Sequence, residues 1–211
     1  MSEFFSNYGL ELLQKTWEHF YISVIALLIG VVIAVPLGML LARTNKLGNW
    51  ILTIAGVLQT IPTLAVLALM IPLFGIGKIP AIIALSMYIL LPILNNTIIG
   101  VRNIDPNAKE AAQSMGMTRL QLMSQVELPL ASPLILSGIR LASVYVISWA
   151  TIASYIGAGG LGDFIFNGLN LYDPVMIIVG TVAVTVLALL TDKILGLVER
   201  YTVPKGINIS R

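Results

Sequence analysis

The stretch Glu110-Ala111-Ala112-Gln113-Ser114-Met115-Gly116, followed after nine residues by Val126-Glu127-Leu128-Pro129, decides how the rest of the chain is read. It is polar and helix-forming, yet it lies between apolar runs long enough to cross a bilayer. Asp105-Pro106 just before it reads as an N-cap with proline at the first helical position. Helix formers continue to Met115, and Gly116 is placed to take the left-handed conformation that ends a helix. Thr118-Arg119-Leu120-Gln121 fits the capping box of a second short helix, and Pro129 and Pro133 are expected to close the segment at the membrane. The expected shape is helix, glycine corner, helix. Ala108, Ala111, Ala112 and Met115 share one face by spacing, small enough to enter a groove on another protein. Glu110 points elsewhere, toward a basic group of such a partner or a backbone cap. The plainer alternative is an amphipathic helix lying on the membrane surface.

Composition agrees with a membrane setting. Of 211 residues, 57% are hydrophobic and 10% charged, with mean hydropathy +0.93. Soluble domains carry about a quarter charged residues, so this chain has too little polar surface for water and a bilayer is its natural solvent. A net charge of +2 gives no case for nucleic acid. The absence of cysteine excludes a disulfide, a thiolate metal site and a lipoprotein anchor. His19, the single histidine, is expected at the membrane interface rather than as a metal ligand. Glu3 and Glu11 precede the first apolar run without a basic n-region, so that run is expected to be retained rather than cleaved.

Hydrocarbon about 30 Å thick needs roughly 20 apolar residues. Five runs meet this, at residues 21–42, 51–74, 79–101, 133–156 and 174–197. An odd number of crossings puts the termini on opposite sides. With the carboxyl terminus cytoplasmic, Arg43, Lys46, Arg102, Lys109, Arg119, Lys193, Arg200, Lys205 and Arg211 lie at the inner face and only Lys15 and Lys78 outside. That orientation, amino terminus outside, is the one the positive-inside rule selects. It also places the Glu110–Gly116 loop in the cytoplasm.

Within the runs, Gly30, Ala34 and Gly38 form a small-residue stripe suited to close helix packing. Pro36, Pro62 and Pro92 interrupt otherwise regular helices, either as simple kinks or beside a polar cavity. Asn95 and Asn96 within one turn of Pro92 suggest a span facing a polar pathway. Arg140 needs a partner inside its run. Counting along spans four and five brings it to the depth of Asp192, which predicts an ion pair across those spans or across a dimer; snorkelling to the headgroups is the alternative. Tyr88, Tyr145, Trp149 and Tyr155 are either packing and belt residues or pathway residues offering aromatic faces to a cation. The glycine-rich 157–173 connection is either a flexible connector or a short re-entrant helix.

The spacing Glu-Ala-Ala, three residues, Gly, nine residues, aliphatic-x-Leu-Pro resembles the cytoplasmic coupling loop of importer-type ABC permeases, with Val126 where that family more often has Ile. Residues 17–206 further resemble permeases of the osmoprotectant-uptake (Opu) importers for glycine betaine, carnitine or choline. The likeness rests on Ala34-Val35-Pro36-Leu37-Gly38, Gln59-Thr60-Ile61-Pro62-Thr63-Leu64-Ala65, Leu91-Pro92-Ile93-Leu94, Ile156-Gly157-Ala158-Gly159-Gly160-Leu161-Gly162-Asp163 and Gly168-Leu169-Asn170-Leu171-Tyr172. Asn95 stands where members often have Arg.

The resemblance implies an all-α, five-span permease of the type I (MetI-like) ABC importer fold in a bacterial plasma membrane. Glu110, Ala111, Ala112, Met115, Gly116, Leu128 and Pro129 would couple to two cytoplasmic ATPase subunits. Gln59, Pro62, Tyr88, Pro92, Asn95, Asn96 and Trp149 would belong to the translocation pathway. Gly159, Gly160 and Asp163 would form an outer gate meeting an extracellular binding protein, and a second permease subunit would complete the pathway. The chain has no Gly-x-x-x-x-Gly-Lys-Ser/Thr phosphate loop, Gly75-Ile76-Gly77-Lys78 being a weak echo. No catalytic residue or metal site is expected on it, and ATP and magnesium would be held by the partner ATPase. An amino-acid importer of the same class is the nearest rival. A stand-alone secondary carrier is a further one, disfavoured by the lack of visible inverted repeats.

Overall fold

The structure, a computed structural model, describes residues 2–202. Lys205 and Arg211, two of the cations used for orientation, lie outside the described residues, as does the end of the 17–206 resemblance. No strand occurs among the described residues.

Helix α1 (Ser2–Leu41) has 40 residues, about 60 Å at 1.5 Å each and twice the hydrocarbon thickness of about 30 Å. It begins well before the apolar run at 21–42: no proline interrupts residues 2–20, and Lys15 and Glu18 find partners there. The Gly30–Ala34–Gly38 stripe seats α1 on helix α4 (Lys78–Arg102). A Cβ at Gly30 would lie 2.8 Å from Ile89, and one at Gly38 2.7 Å from Thr97.

The run at 51–74 is not one straight span. It forms α2 (Asn45–Gln59) and α3 (Thr63–Phe74), bent by 91°. Pro62 has no N–H to donate and holds Ile61 out of helical geometry. The chain closes there with turn bonds from Thr60 N and Ile61 N to Val57 O and Leu58 O. The bent pair still crosses the bundle. Glu18 meets Lys78 at one end, and Arg102 meets the Ala42 carbonyl at the other; residues 18 and 42 are about 36 Å apart along α1. With α4, α7 (Leu128–Ala153) and α9 (Pro174–Thr202) the chain makes five crossings.

Helix α4 is the core of the bundle, packed between α1 and α7, with Ala84, Ile89, Ile93, Thr97 and Ile98 wholly buried. It runs against α7 at small-residue contacts: a Cβ at Gly138 would meet Asn96, and one at Gly100 would meet Ala131. The outward faces of α1 and α9 are aliphatic, including Leu28, Val32, Ile33, Val182, Leu189 and Ile194. The protein is a multi-pass membrane protein.

Pro129 and Pro133 do not close the loop, contrary to expectation. From Arg119 to Ala153 the chain is one helical column: α6 (Arg119–Gln121), a π turn (Leu122–Glu127), then α7. Proline in a regular helix removes a hydrogen bond and clashes with the carbonyl four residues back. The π turn relieves this for Pro129, since Leu128 N reaches five residues back to Met123 O. Pro133 leaves Pro129 O without its helical donor, and Ser132 Oγ donates to it at 2.8 Å.

Candidate functional site

The 105–128 loop has the anticipated local geometry. Asp105 Oδ1 accepts from Asn107 N at 2.9 Å and caps α5 (Pro106–Ser114). Gly116 has φ +81°. The bonds Gly116 N to Gln113 O and Met117 N to Ala112 O complete a Schellman ending. The capping box at Thr118 and Gln121 is present in both directions. The shared alanine face, however, divides. Ala112 is 2% exposed and Ala108 half-buried, because α5 lies across the π turn, while Glu110 and Ala111 are exposed and Met115 is 72% exposed. The surface open to a partner is therefore Glu110, Ala111, Met115, the Gly116 corner and Leu120. Leu128 is partly exposed and Pro129 half-buried.

Two side chains tie this loop to the bundle. Lys109 Nζ donates to Val101 O at 2.8 Å, taking a carbonyl from the last turn of α4. Arg43 Nη2, in the α1–α2 turn, donates to Glu127 Oε2 at 2.8 Å. Glu127 is only 4% exposed. Sequence reading missed this pair, although an acid inside the Val126–Pro129 motif at a membrane face was a signal that it needs a cation.

The pathway candidates divide into those that meet and those that do not. Gln59 Nε2 donates to Tyr88 O at 2.7 Å, the carbonyl that Pro92 deprives of its helical N–H. Tyr88 Oη donates in return to Ile61 O at 2.5 Å, beside Pro62 in the elbow. A cavity of about 210 Å³ lies here, lined among others by Gln59, Ile61, Val66, Met87, Tyr88 and Leu91. Trp149 stands 5.2 Å from the Tyr88 ring and 5.3 Å from the Tyr145 ring, centroid to centroid. Tyr155 is elsewhere, against Phe166. Asn95 is exposed on α4, whereas Asn96 turns back, donating to Pro92 O and packing on Gly138. Exposed polar residues on α4 and α7 are Asn95, Ser137, Tyr145 and Ser148, interspersed with exposed Met87, Ile99 and Leu141.

Arg140 pairs within the chain, across α7 and α9. Its Nε and Nη2 donate to the two oxygens of Asp192 at 3.1 and 3.0 Å, and Nη1 to Glu199 Oε2 at 2.7 Å. Gly196 leaves room for the guanidinium, since a Cβ there would lie 3.2 Å from Arg140 Cζ. Glu199, about two helical turns beyond Asp192, was not anticipated.

At the opposite end, α8 (Gly162–Leu171) follows a turn in which Gly157, Gly159 and Gly160 all have positive φ. Asp163 Oδ2 accepts from Lys15 Nζ at 2.6 Å, and Glu18 takes Lys78 Nζ at 2.8 Å and Gly160 N at 3.3 Å. His19 is fully buried in the protein, its ring bridging two backbones. Its Nδ1 accepts from Leu161 N at 3.3 Å, so its proton sits on Nε2 and is donated to Ile147 O at 2.9 Å. Gly159, Gly160 and Asp163 are therefore fastened to α1, which sequence spacing could not reveal. No group of three metal-ligating side chains occurs among the described residues.

Comparison with known proteins accords with this arrangement. The family model described as "Binding-protein-dependent transport system inner membrane component" matches residues 34–203. The chain is 53% identical over 208 residues to the carnitine transport permease protein OpuCB of Listeria monocytogenes, covering 99% of this chain and 95% of that one. It is 51% identical to the choline transport system permease protein OpuBB of Bacillus subtilis, over 97% of this chain and 94% of that one. It is 49% identical to the glycine betaine/carnitine/choline transport system permease protein OpuCB of Bacillus subtilis, over 98% and 95%. Among solved structures, a chain of the MetNI methionine ABC transporter in inward-facing form superposes with TM-score 0.83 at 24% identity, over 92% of this chain and 97% of that one; this likeness shows the fold. The chain belongs to the family of binding-protein-dependent transport system inner membrane components, with the MetI-like permease fold of ABC importers.

Proposed function

We propose that this chain is the pathway-forming subunit of an ATP-driven importer for a small trimethylammonium osmoprotectant. The observation that carries it is the 105–128 loop: two capped helices around Gly116, with Glu110, Ala111, Met115 and Leu120 offered outward, on a family-typical bundle. Two ATPase subunits, which hold ATP and magnesium, dock on this surface in the cytoplasm. A second permease subunit faces the exposed side of α4 and α7 around Asn95 and Tyr145, since an exposed amide on a spanning helix is poorly suited to lipid. A binding protein delivers the solute at the end carrying α8, outside the bacterial plasma membrane. Closure of the ATPases moves the loop, and the spans rock to expose the pathway to alternate sides.

The cargo class follows from the relatives. Carnitine, choline and glycine betaine share a trimethylammonium group, and three permeases so named align along almost the whole chain. The test is uptake of labelled glycine betaine by a host lacking its own importers, expressing this chain with its ATPase and binding protein. Uptake by the native chain, lost with Gly116→Val at equal membrane levels, supports both cargo and loop. ATPase binding without betaine uptake keeps the importer and rejects the cargo, leaving an amino acid as the next candidate. Uptake without any ATPase overturns the reading.

A further inference from the structure

We propose that the Arg43–Glu127 ion pair is the strut that carries movement of the 105–128 loop into α1, making both of them positioning residues for transport. The proposal rests on the reading that this loop docks the ATPase.

The loop is continuous with α4 at Arg102 and with α7 through the π turn, but has no covalent route to α1. The charge-to-charge link from this segment to the α1–α2 turn is Arg43 Nη2 to Glu127 Oε2 at 2.8 Å, joining residues 84 apart in sequence. Its acidic end is enclosed, while the Arg43 side chain stays 32% exposed. The Glu127 side chain is 5% exposed, so separating the pair leaves a desolvated carboxylate without its cation, which is costly.

Glu127 is aimed inward by the π turn. That turn carries one residue more than an α-turn, and each residue rotates a helix by about 100°. The bond from Leu128 N to Met123 O marks where the extra residue is absorbed. The turn interrupts the regular α-helical ladder between the docking helices and α7, the kind of break that recurs at functional sites, and we take it as the joint between them. A push on the Gly116 corner can bend this joint without moving α7 as a rigid rod. The same push reaches α1 directly through Glu127. Helix α1 is the element best placed to spread it, because Gly30, Ala34 and Gly38 lock it onto α4. At its far end Lys15, Glu18 and His19 hold α8 and the 157–161 turn. Helix α1 and the turn that directly follows it thus reach the loop at one end of the bundle and the glycine turn at the other.

The experiment uses the assembled importer in lipid vesicles, measuring ATP hydrolysis stimulated by loaded binding protein and solute uptake, and taking their ratio. Glu127→Gln and Arg43→Gln are expected to keep hydrolysis within about twofold while uptake per ATP falls roughly tenfold, the scale of a coupled charge pair. The reversal Arg43→Glu with Glu127→Arg is expected to restore most of the ratio. Glu127→Asp keeps the charge, shortens the reach by one methylene, and is expected to lower the ratio at unchanged hydrolysis; it serves where a neutral variant does not assemble. A merely structural role would lower hydrolysis and uptake together, in proportion to assembled complex. That result, or a native ratio in Glu127→Asp, or a reversed pair no better than the single variants, overturns the strut. If the native complex shows no hydrolysis stimulated by the binding protein, the docking reading itself fails, and the strut with it.

Discussion

Gln59 Nε2 donates to Tyr88 O at 2.7 Å, taking the place of the helical N–H that Pro92 lacks. The elbow between α2 and α3 and the proline of α4 are therefore two halves of one device. Each supplies the other with a hydrogen-bonding group, Tyr88 Oη returning a proton to Ile61 O. In a bilayer no water is at hand to satisfy such carbonyls, so a proline in a central span needs this kind of neighbour.

Replacing Gln59 with Leu should destabilise the protein by about 1–3 kcal/mol, the cost of a buried carbonyl left unpaired. Pro92→Ala restores a backbone N–H to that carbonyl. In its background Gln59→Leu should cost less than half as much. A double-mutant cycle on thermal unfolding in nanodiscs measures this, and additive effects would sink the account.

Arg140→Ala should lower stability by about 1.5–3 kcal/mol, the range for hydrogen bonds to charged groups. Exchanging Arg140 and Asp192 should recover only part of the loss, because Glu199, 2.7 Å from the guanidinium, would then face a carboxylate at position 140. Adding Glu199→Gln to the exchange should improve it. Melting temperatures of the four proteins at equal lipid content decide the matter; full recovery by the exchange alone would show that Glu199 is idle.

At Gly116 a Cβ would meet nothing within 4 Å, yet φ is +81°. Any loss on substitution there is conformational, of the order of 1–2 kcal/mol for an L-residue in the left-handed region. Gly116→Val should be worst and Gly116→Asn mildest, with ATPase pull-down and uptake following the same order. Equal loss with both would point to a direct steric role at the docking surface instead.

If the solute carries a trimethylammonium group, the adjacent rings of Tyr145 and Trp149 on α7 are the ones it is expected to meet. Tyr145→Leu or Trp149→Leu should weaken solute transfer roughly twofold to thirtyfold, matching about 0.5–2 kcal/mol of cation–π attraction. Tyr145→Phe should be nearly silent. Tyr155→Leu should not share the effect, since Tyr155 packs on Phe166 away from the cluster. Initial rates of labelled choline uptake by reconstituted complex provide the check.

Much of this protein is determined by the sequence alone because the signals involved are short-range. Runs of some twenty apolar residues define the crossings. Asp105-Pro106, the Gly116 corner and the Thr118–Gln121 box are settled within four or five residues by capping geometry. The Gly30–Ala34–Gly38 stripe announces close packing by period alone. The depth count that matched Arg140 to Asp192 worked because both lie on long, regular helices.

What only the tertiary structure decided is how those helices are turned and which groups then meet. Pro62 could have been a kink; it became a 91° elbow because Tyr88 and Gln59 were there to satisfy the broken backbone. Pro129 looked like a stop, but a π turn let the helix run on. Ala112 belonged to the outward face by spacing, and the docking of α5 onto that π turn buried it. His19, Lys15 and Glu127 found partners 128, 148 and 84 residues away. Helical period says which residues share a face but not toward which neighbour that face is turned. In a bundle this apolar, the rotation is set by small-residue contacts and by the need to pair every buried polar group, and both are properties of the assembled helices rather than of any one of them.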